Sequence, residues 1–282
     1  TLDSAMTPAL TTMMLVIGIY IAVVLGGLVV LWRVQERIVF QPPMNPESPH
    51  TGTSRLEYTS RDGIDLFAQV VEPEGSSRAV VLAFHGNAVI ARWLIPWARE
   101  LSRRLGVTVV LPEYRGYDGL AGSPTYPGTA LDADAALDAT SRHFRIPVSD
   151  IVFYGHSLGS AVACEVASDH PPRALVLESP FSSAQAMAAR WKVFGVGLFW
   201  SRISRVHYDT LSRVASIPSP VHVAHGERDI IVPPHMGPAV HAAAKQQGRL
   251  FLVPDAGHND IALAGGEAYW RWIEEALHDG RQ

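Results

Sequence analysis

The hydrophobic pattern divides this chain into two unequal parts. Residues 13 to 32 carry no charge and are nearly all apolar. Twenty helical residues span about 30 Å, the thickness of a bilayer's hydrocarbon core. A soluble helix of that length would show a polar face, and a cleavable leader has a shorter apolar region of about 7–15 residues. Here the run continues past Gly26-Gly27 to Trp32, an aromatic placed where the interface would fall. The pattern therefore predicts a single-pass membrane anchor over residues 1–33. Arg33 and Arg37 follow the span while only Asp3 precedes it, so the positive-inside rule puts the remaining chain in the cytoplasm. Residues 34–54 contain Pro42, Pro43, Pro46 and Pro49 and read as a stiff, extended spacer. A folded domain is expected over 55–282.

Within that domain, Arg55 to Ser60 and Ile64 to Val71 form a strand pair around the hairpin signal Asp62-Gly63. Val/Leu/Ile-rich runs then recur near 79–84, 107–111, 151–154, 174–177, 221–224 and 249–253, separated by helix-length segments. Strands alternating with crossover helices argue for an α/β fold with a mostly parallel sheet, and continuous apolar runs suit strands buried on both faces. Residues 181–212 interrupt the alternation. Met187, Trp191, Phe194, Val196, Leu198, Phe199 and Trp200 are too many large apolar side chains for one helical stripe. An apolar substrate wall or a membrane contact is expected there, and Trp191, Phe194, Phe199 and Trp200 are its candidate binding residues.

The chemistry centres on Gly155-His156-Ser157-Leu158-Gly159, directly after the strand Ile151 to Tyr154. A G-x-S-x-G turn between strand and helix lifts a serine hydroxyl clear of the sheet. That hydroxyl needs a histidine base and a carboxylate that orients it, in the chain order Ser, acid, His. Asp229 and His258 each follow a predicted strand end, where open α/β sheets place their functional groups. Glu227 and Asp255 read as solvated loop carboxylates. Glu178, at the end of an earlier strand, is a rival acid. His85, His156 and His225 have structural readings as hydrogen-bonded loop residues. An oxyanion would be met by the backbone N–H groups of Leu158, after the nucleophile, and Asn87, in the loop after the strand Ala79 to Phe84.

Taken together, His85-Gly86-Asn87, Tyr114-Arg115-Gly116-Tyr117, Gly155 to Ser160, His225 to Asp229 and Gly257 to Asp260 resemble the α/β-hydrolase superfamily, and within it membrane-anchored serine hydrolases with an H-G-N oxyanion loop. The resemblance implies an eight-stranded, mostly parallel sheet flanked by helices, a short cap over 181–212, and ester hydrolysis through an acyl-enzyme. Glu113 stands where relatives commonly have Asp, and Asp118 where they commonly have Gly.

Composition narrows the reading further. The net charge of −4 is small and mixed, with no basic run, so no nucleic-acid partner is expected. The single cysteine, Cys164, excludes an internal disulfide and a multi-cysteine metal site, and no cofactor motif is present. The expected partner is a small-molecule or lipid ester. Two alternatives stand beside the esterase reading: an acyl-protein thioesterase, and a non-catalytic membrane-tethered module.

Overall fold

Each apolar run after the Asp62-Gly63 hairpin becomes a strand of one eight-stranded sheet. The computed structural model describes residues 8–44, 52–190 and 203–279. The strands are β1 (Ser54–Thr59), β2 (Asp65–Val71), β3 (Val80–Phe84), β4 (Thr108–Pro112), β5 (Ile151–His156), β6 (Ala174–Glu178), β7 (Val221–Gly226) and β8 (Gln247–Val253). Their order across the sheet is β1-β2-β4-β3-β5-β6-β7-β8. β1 and β2 are antiparallel, β2 meets β4 antiparallel, and every later pairing is parallel. The helices among the described residues are α1 (Pro8–Val39), α2 (Ile95–Leu105), α3 (Tyr126–Phe144), α4 (Leu158–Asp169), α5 (Ala184–Ala189), α6 (Thr210–Val214), α7 (Met236–Ala243) and α8 (Ile261–His278).

Alternation along the strands feeds two cores. Val80, Leu82 and Phe84 of β3 and Ile151 and Phe153 of β5 face the side covered by α3, α4, α6 and α7. Val81, Ala83, Val152 and Tyr154 face the side covered by α2 and α8. Phe84 and Phe153 are wholly buried and meet edge to face at 6.4 Å. Burying such a ring stabilises the fold by about 1.5–3 kcal/mol. The last strand departs from expectation. β8 is a sheet edge, so Leu250 and Leu252 are each 38% exposed rather than covered on both faces.

α1 also runs further than the apolar span. Arg33, Gln35, Glu36 and Arg37 are good helix formers, and no breaker occurs before Pro42. The helix therefore continues to Val39, and the expected extended spacer begins as helix. None of its most apolar stretch is buried, yet its last turns are docked. Gln35 donates from Nε2 to the Ile203 carbonyl (3.1 Å) and accepts the Arg205 N–H (2.6 Å). Glu36 pairs with Arg205 at 3.1 Å, and the Arg205 guanidinium lies 5.1 Å over the Trp32 ring. Phe40, just past the helix, is 2% exposed and packs edge-on against Tyr208.

Candidate active site

Ser157 stands between β5 and α4 with φ 53° and ψ −115°, a region L-residues rarely occupy. Strain of this kind persists only where the surroundings enforce it. Close backbone approach does so here. A Cβ on Gly155 would lie 2.3 Å from the Gly159 carbonyl oxygen, and one on Gly159 would lie 2.1 Å from that of Phe84. The Ser157 N–H donates to the Glu178 carbonyl at 2.9 Å, which ties the turn to the neighbouring strand.

The serine Oγ lies 2.9 Å from Nε2 of His258, whose Nδ1 lies 2.6 Å from Oδ2 of Asp229. An ionised carboxylate only accepts, so Nδ1 carries the proton and Nε2 accepts from the serine. Asp229 Oδ1 accepts the N–H groups of Ile231 and Val232, both at 2.8 Å. Burial opposes charge on Asp229, but hydrogen bonds from His225, His258 and the backbone outweigh it and hold the carboxyl well below the ordinary aspartate range. The rival acids lie elsewhere. Glu178 accepts from the hydroxyls of Tyr154 and Tyr269, each at 2.8 Å; Asp255 is exposed and paired with Arg228; Glu227 is exposed.

The rival histidines are held by their surroundings. His85 is 1% exposed, bonds Glu113 through Nε2 at 2.8 Å and meets the Tyr114 ring at a tilt, 4.3 Å between centroids. Burial lowers the pKa of His156, and its Nε2 lies 3.1 Å from the His258 carbonyl. Glu113 also accepts the Ala91 N–H at 2.8 Å, fastening the loop after β3. Asp118 has φ 47°, the left-handed region, which explains how aspartate fills a place that suits glycine. It is ion-paired with Arg92.

Asn87 and Leu158 line the same cavity as Ser157, a space of about 280 Å³. Phe181, Met187, Val206, Tyr208 and Val232 form much of its apolar wall. Trp191, Phe194, Phe199 and Trp200 lie outside the described residues. Sequence reasoning missed the contribution of α1, whose Ile38 and Val39 line the cavity together with Gln41. It also missed the side chain of Asn87, which donates to the Val39 carbonyl (2.6 Å) and accepts the N–H of Gln41 (2.9 Å) and the hydroxyl of Tyr117 (2.9 Å). The only available signal was the unbroken helix-forming run up to Phe40.

A serine at a strained strand–helix turn, followed by acid-bearing and histidine-bearing loops on a sheet of this order, defines an α/β hydrolase. The family model described as Serine aminopeptidase, S33, matches residues 75–211. The uncharacterized protein Rv2307c of Mycobacterium tuberculosis is 34% identical over 259 residues, spanning 89% of this chain and 90% of that protein. The Alpha/beta hydrolase domain-containing protein WAV2 of Arabidopsis thaliana is 30% identical over 274 residues, spanning 88% and 89%. The chain belongs to the α/β-hydrolase family. The Pyrococcus furiosus esterase Pf2001 shares its fold, with a TM-score of 0.67 at 19% identity, over 85% of this chain and 97% of that one.

Proposed function

We propose that this protein is a serine hydrolase of carboxylic esters, held at a membrane by α1. Ser157 attacks the acyl carbon while His258 takes its proton, and His258 then passes that proton to the leaving alkoxide. Asp229 keeps His258 in the required tautomer and stabilises the imidazolium. The N–H groups of Asn87 and Leu158 receive the oxyanion, and water then releases the acyl group from Ser157. The observation that carries this reading is the Ser157–His258–Asp229 relay, at 2.9 and 2.6 Å, opening onto an apolar cavity.

The cavity favours an acyl group over a peptide. An aminopeptidase needs an anion for its substrate's ammonium group, and no carboxylate lines the cavity among the described residues. α1 supports the membrane reading, being long and apolar enough to cross a bilayer. Arg33 and Arg37 at its far end favour a cytoplasmic catalytic domain. The test is labelling of the purified full-length chain by a fluorophosphonate, together with turnover of p-nitrophenyl esters. Labelling of wild type but not of Ser157→Ala, with turnover of at least one ester, is expected. Absence of both labelling and turnover would overturn the reading.

A further inference from the structure

α1 ends against the catalytic loop. The last carbonyls of a helix have no partner within it, and here the Val39 carbonyl is met by the Asn87 side chain. The next free donor, the Gln41 N–H, bonds the other end of the same amide. These partners fix the amide's orientation, since a carbonyl only accepts and an N–H only donates. Tyr117, in the loop after β4, adds a third bond to the same amide oxygen, so this one side chain ties the end of α1 to the loops after β3 and β4. Asn87 also lines the cavity that holds Ser157, and Ile38 and Val39 stand on the same cavity from the helix side.

We propose that the last turn of α1 is a wall of the acyl pocket, with Ile38 and Val39 as specificity-determining residues and the Asn87 side chain as the positioning residue that clasps this wall to the oxyanion loop. The inference rests on the ester-hydrolase reading for the identity of the acyl group. It goes beyond that reading by making the anchor helix part of the site. From Trp32 to Ile38 is six residues, about 9 Å of helix. The headgroup layer is about 5–7 Å thick, so with α1 in a bilayer the pocket wall lies just beyond the headgroups. An acyl chain whose ester sits at headgroup level could then enter beside the helix while its tail is still in lipid.

The test uses the full-length chain in phosphatidylcholine nanodiscs, with p-nitrophenyl acetate and p-nitrophenyl decanoate as substrates. Ile38→Trp would fill the wall, and the decanoate-to-acetate ratio of kcat/KM should fall about ten-fold, as expected when roughly two methylenes lose their burial. Asn87→Asp keeps the acceptor for Gln41 and Tyr117 but turns an oxygen toward the Val39 carbonyl. Its kcat should fall about ten-fold on both esters through a displaced oxyanion donor, while KM stays near wild type. A second readout needs no turnover. Cys164 is fully buried, so Ile38→Cys offers a single accessible thiol, and decanoate but not acetate should protect it from N-ethylmaleimide.

An unchanged ratio in Ile38→Trp, or no protection of Ile38→Cys by decanoate, would overturn the pocket wall. Wild-type kcat in Asn87→Asp would overturn the clasp. Protection of Ile38→Cys in a protein that hydrolyses neither ester and takes no fluorophosphonate would instead overturn the esterase reading and support the wall.

Discussion

His225 shares an acceptor with His258: its Nε2 lies 3.3 Å from the Asp229 Oδ2 that also takes the His258 Nδ1 proton. The Nδ1 of His225 is buried without a hydrogen-bond partner, and a Cβ on Gly237 would lie 2.4 Å from it. Since the neighbours of Nε2 are the Asp229 carboxylate and the Val232 carbonyl, both acceptors, Nε2 is the protonated nitrogen. The acid of the relay is thus held from behind as well as from the front. His225→Phe keeps the volume and removes that donor. A hydrogen bond to a charged group is worth about 1.5–3 kcal/mol, so kcat should fall at least about ten-fold with KM little changed. Wild-type kcat in steady-state assays of this variant would show that His258 and the backbone suffice.

Asp229 also links stability to pH. Its pKa in the fold is lowered, so its contribution is fully present above the unfolded aspartate value of about 3.9 and declines as pH falls below it. The Tm gap between wild type and Asp229→Asn should therefore be constant above about pH 5 and shrink below about pH 4. A gap that widened toward acid would reverse the sign argued here. Thermal melts at matched ionic strength make the measurement.

At neutral pH, Asp229→Asn should cut turnover about 10⁴-fold by favouring the wrong His258 tautomer. Glu178→Gln and Asp255→Asn should cost far less, because neither carboxylate touches His258. A Glu178→Gln variant as crippled as Asp229→Asn would move the acid to β6.

Ser157→Ala should lose about 10⁴ to 10⁶ in kcat and keep its fold, since alanine removes only the hydroxyl. Gly159→Ala should behave oppositely. Its Cβ would collide with the Phe84 backbone at 2.1 Å, and overpacking that neither strand nor helix can relieve should cost more than about 3 kcal/mol. Circular dichroism separates the two cases, and a well-folded Gly159→Ala variant would refute the close-approach explanation.

Two truncations probe the helix. Removal of residues 1–33 leaves Gln35, Glu36 and Asn87's partners in place, and should release a soluble, active domain. Removal of residues 1–44 also strips Ile38 to Gln41 from the cavity, and should yield a domain with much reduced selectivity for long acyl chains. The intact chain should require detergent for extraction, because a spanning helix is held far more firmly than a surface attachment. Release by carbonate alone would refute the span.

Much of this was legible in the sequence because it is written in local pattern. Period-two and continuous apolar runs located the strands to within about two residues, and the elbow glycines pointed to the serine. What escaped notice is long-range. Asn87 and Val39 are 48 residues apart, and nothing in either neighbourhood marks the other as its partner. The charges at Arg33, Glu36 and Arg37 end the apolar run, which reads as the end of an anchor, yet charge does not stop a helix; only Pro42 does. The exposed flank of β8 likewise depends on its place at the sheet edge, which is a property of topology rather than of residue type.

An anchor that ends in a loose tether leaves its enzyme free to tumble over the membrane. α1 does not end that way: Gln35, Glu36 and Asn87 weld it to the body within two turns of the last apolar residue. With α1 embedded in a bilayer as proposed, the height, tilt and heading of the domain are set together, and the bilayer becomes a frame of reference for the serine. On the proposed reading, search for a lipid-borne ester would reduce to lateral diffusion in two dimensions, with Ser157 presented at one depth throughout.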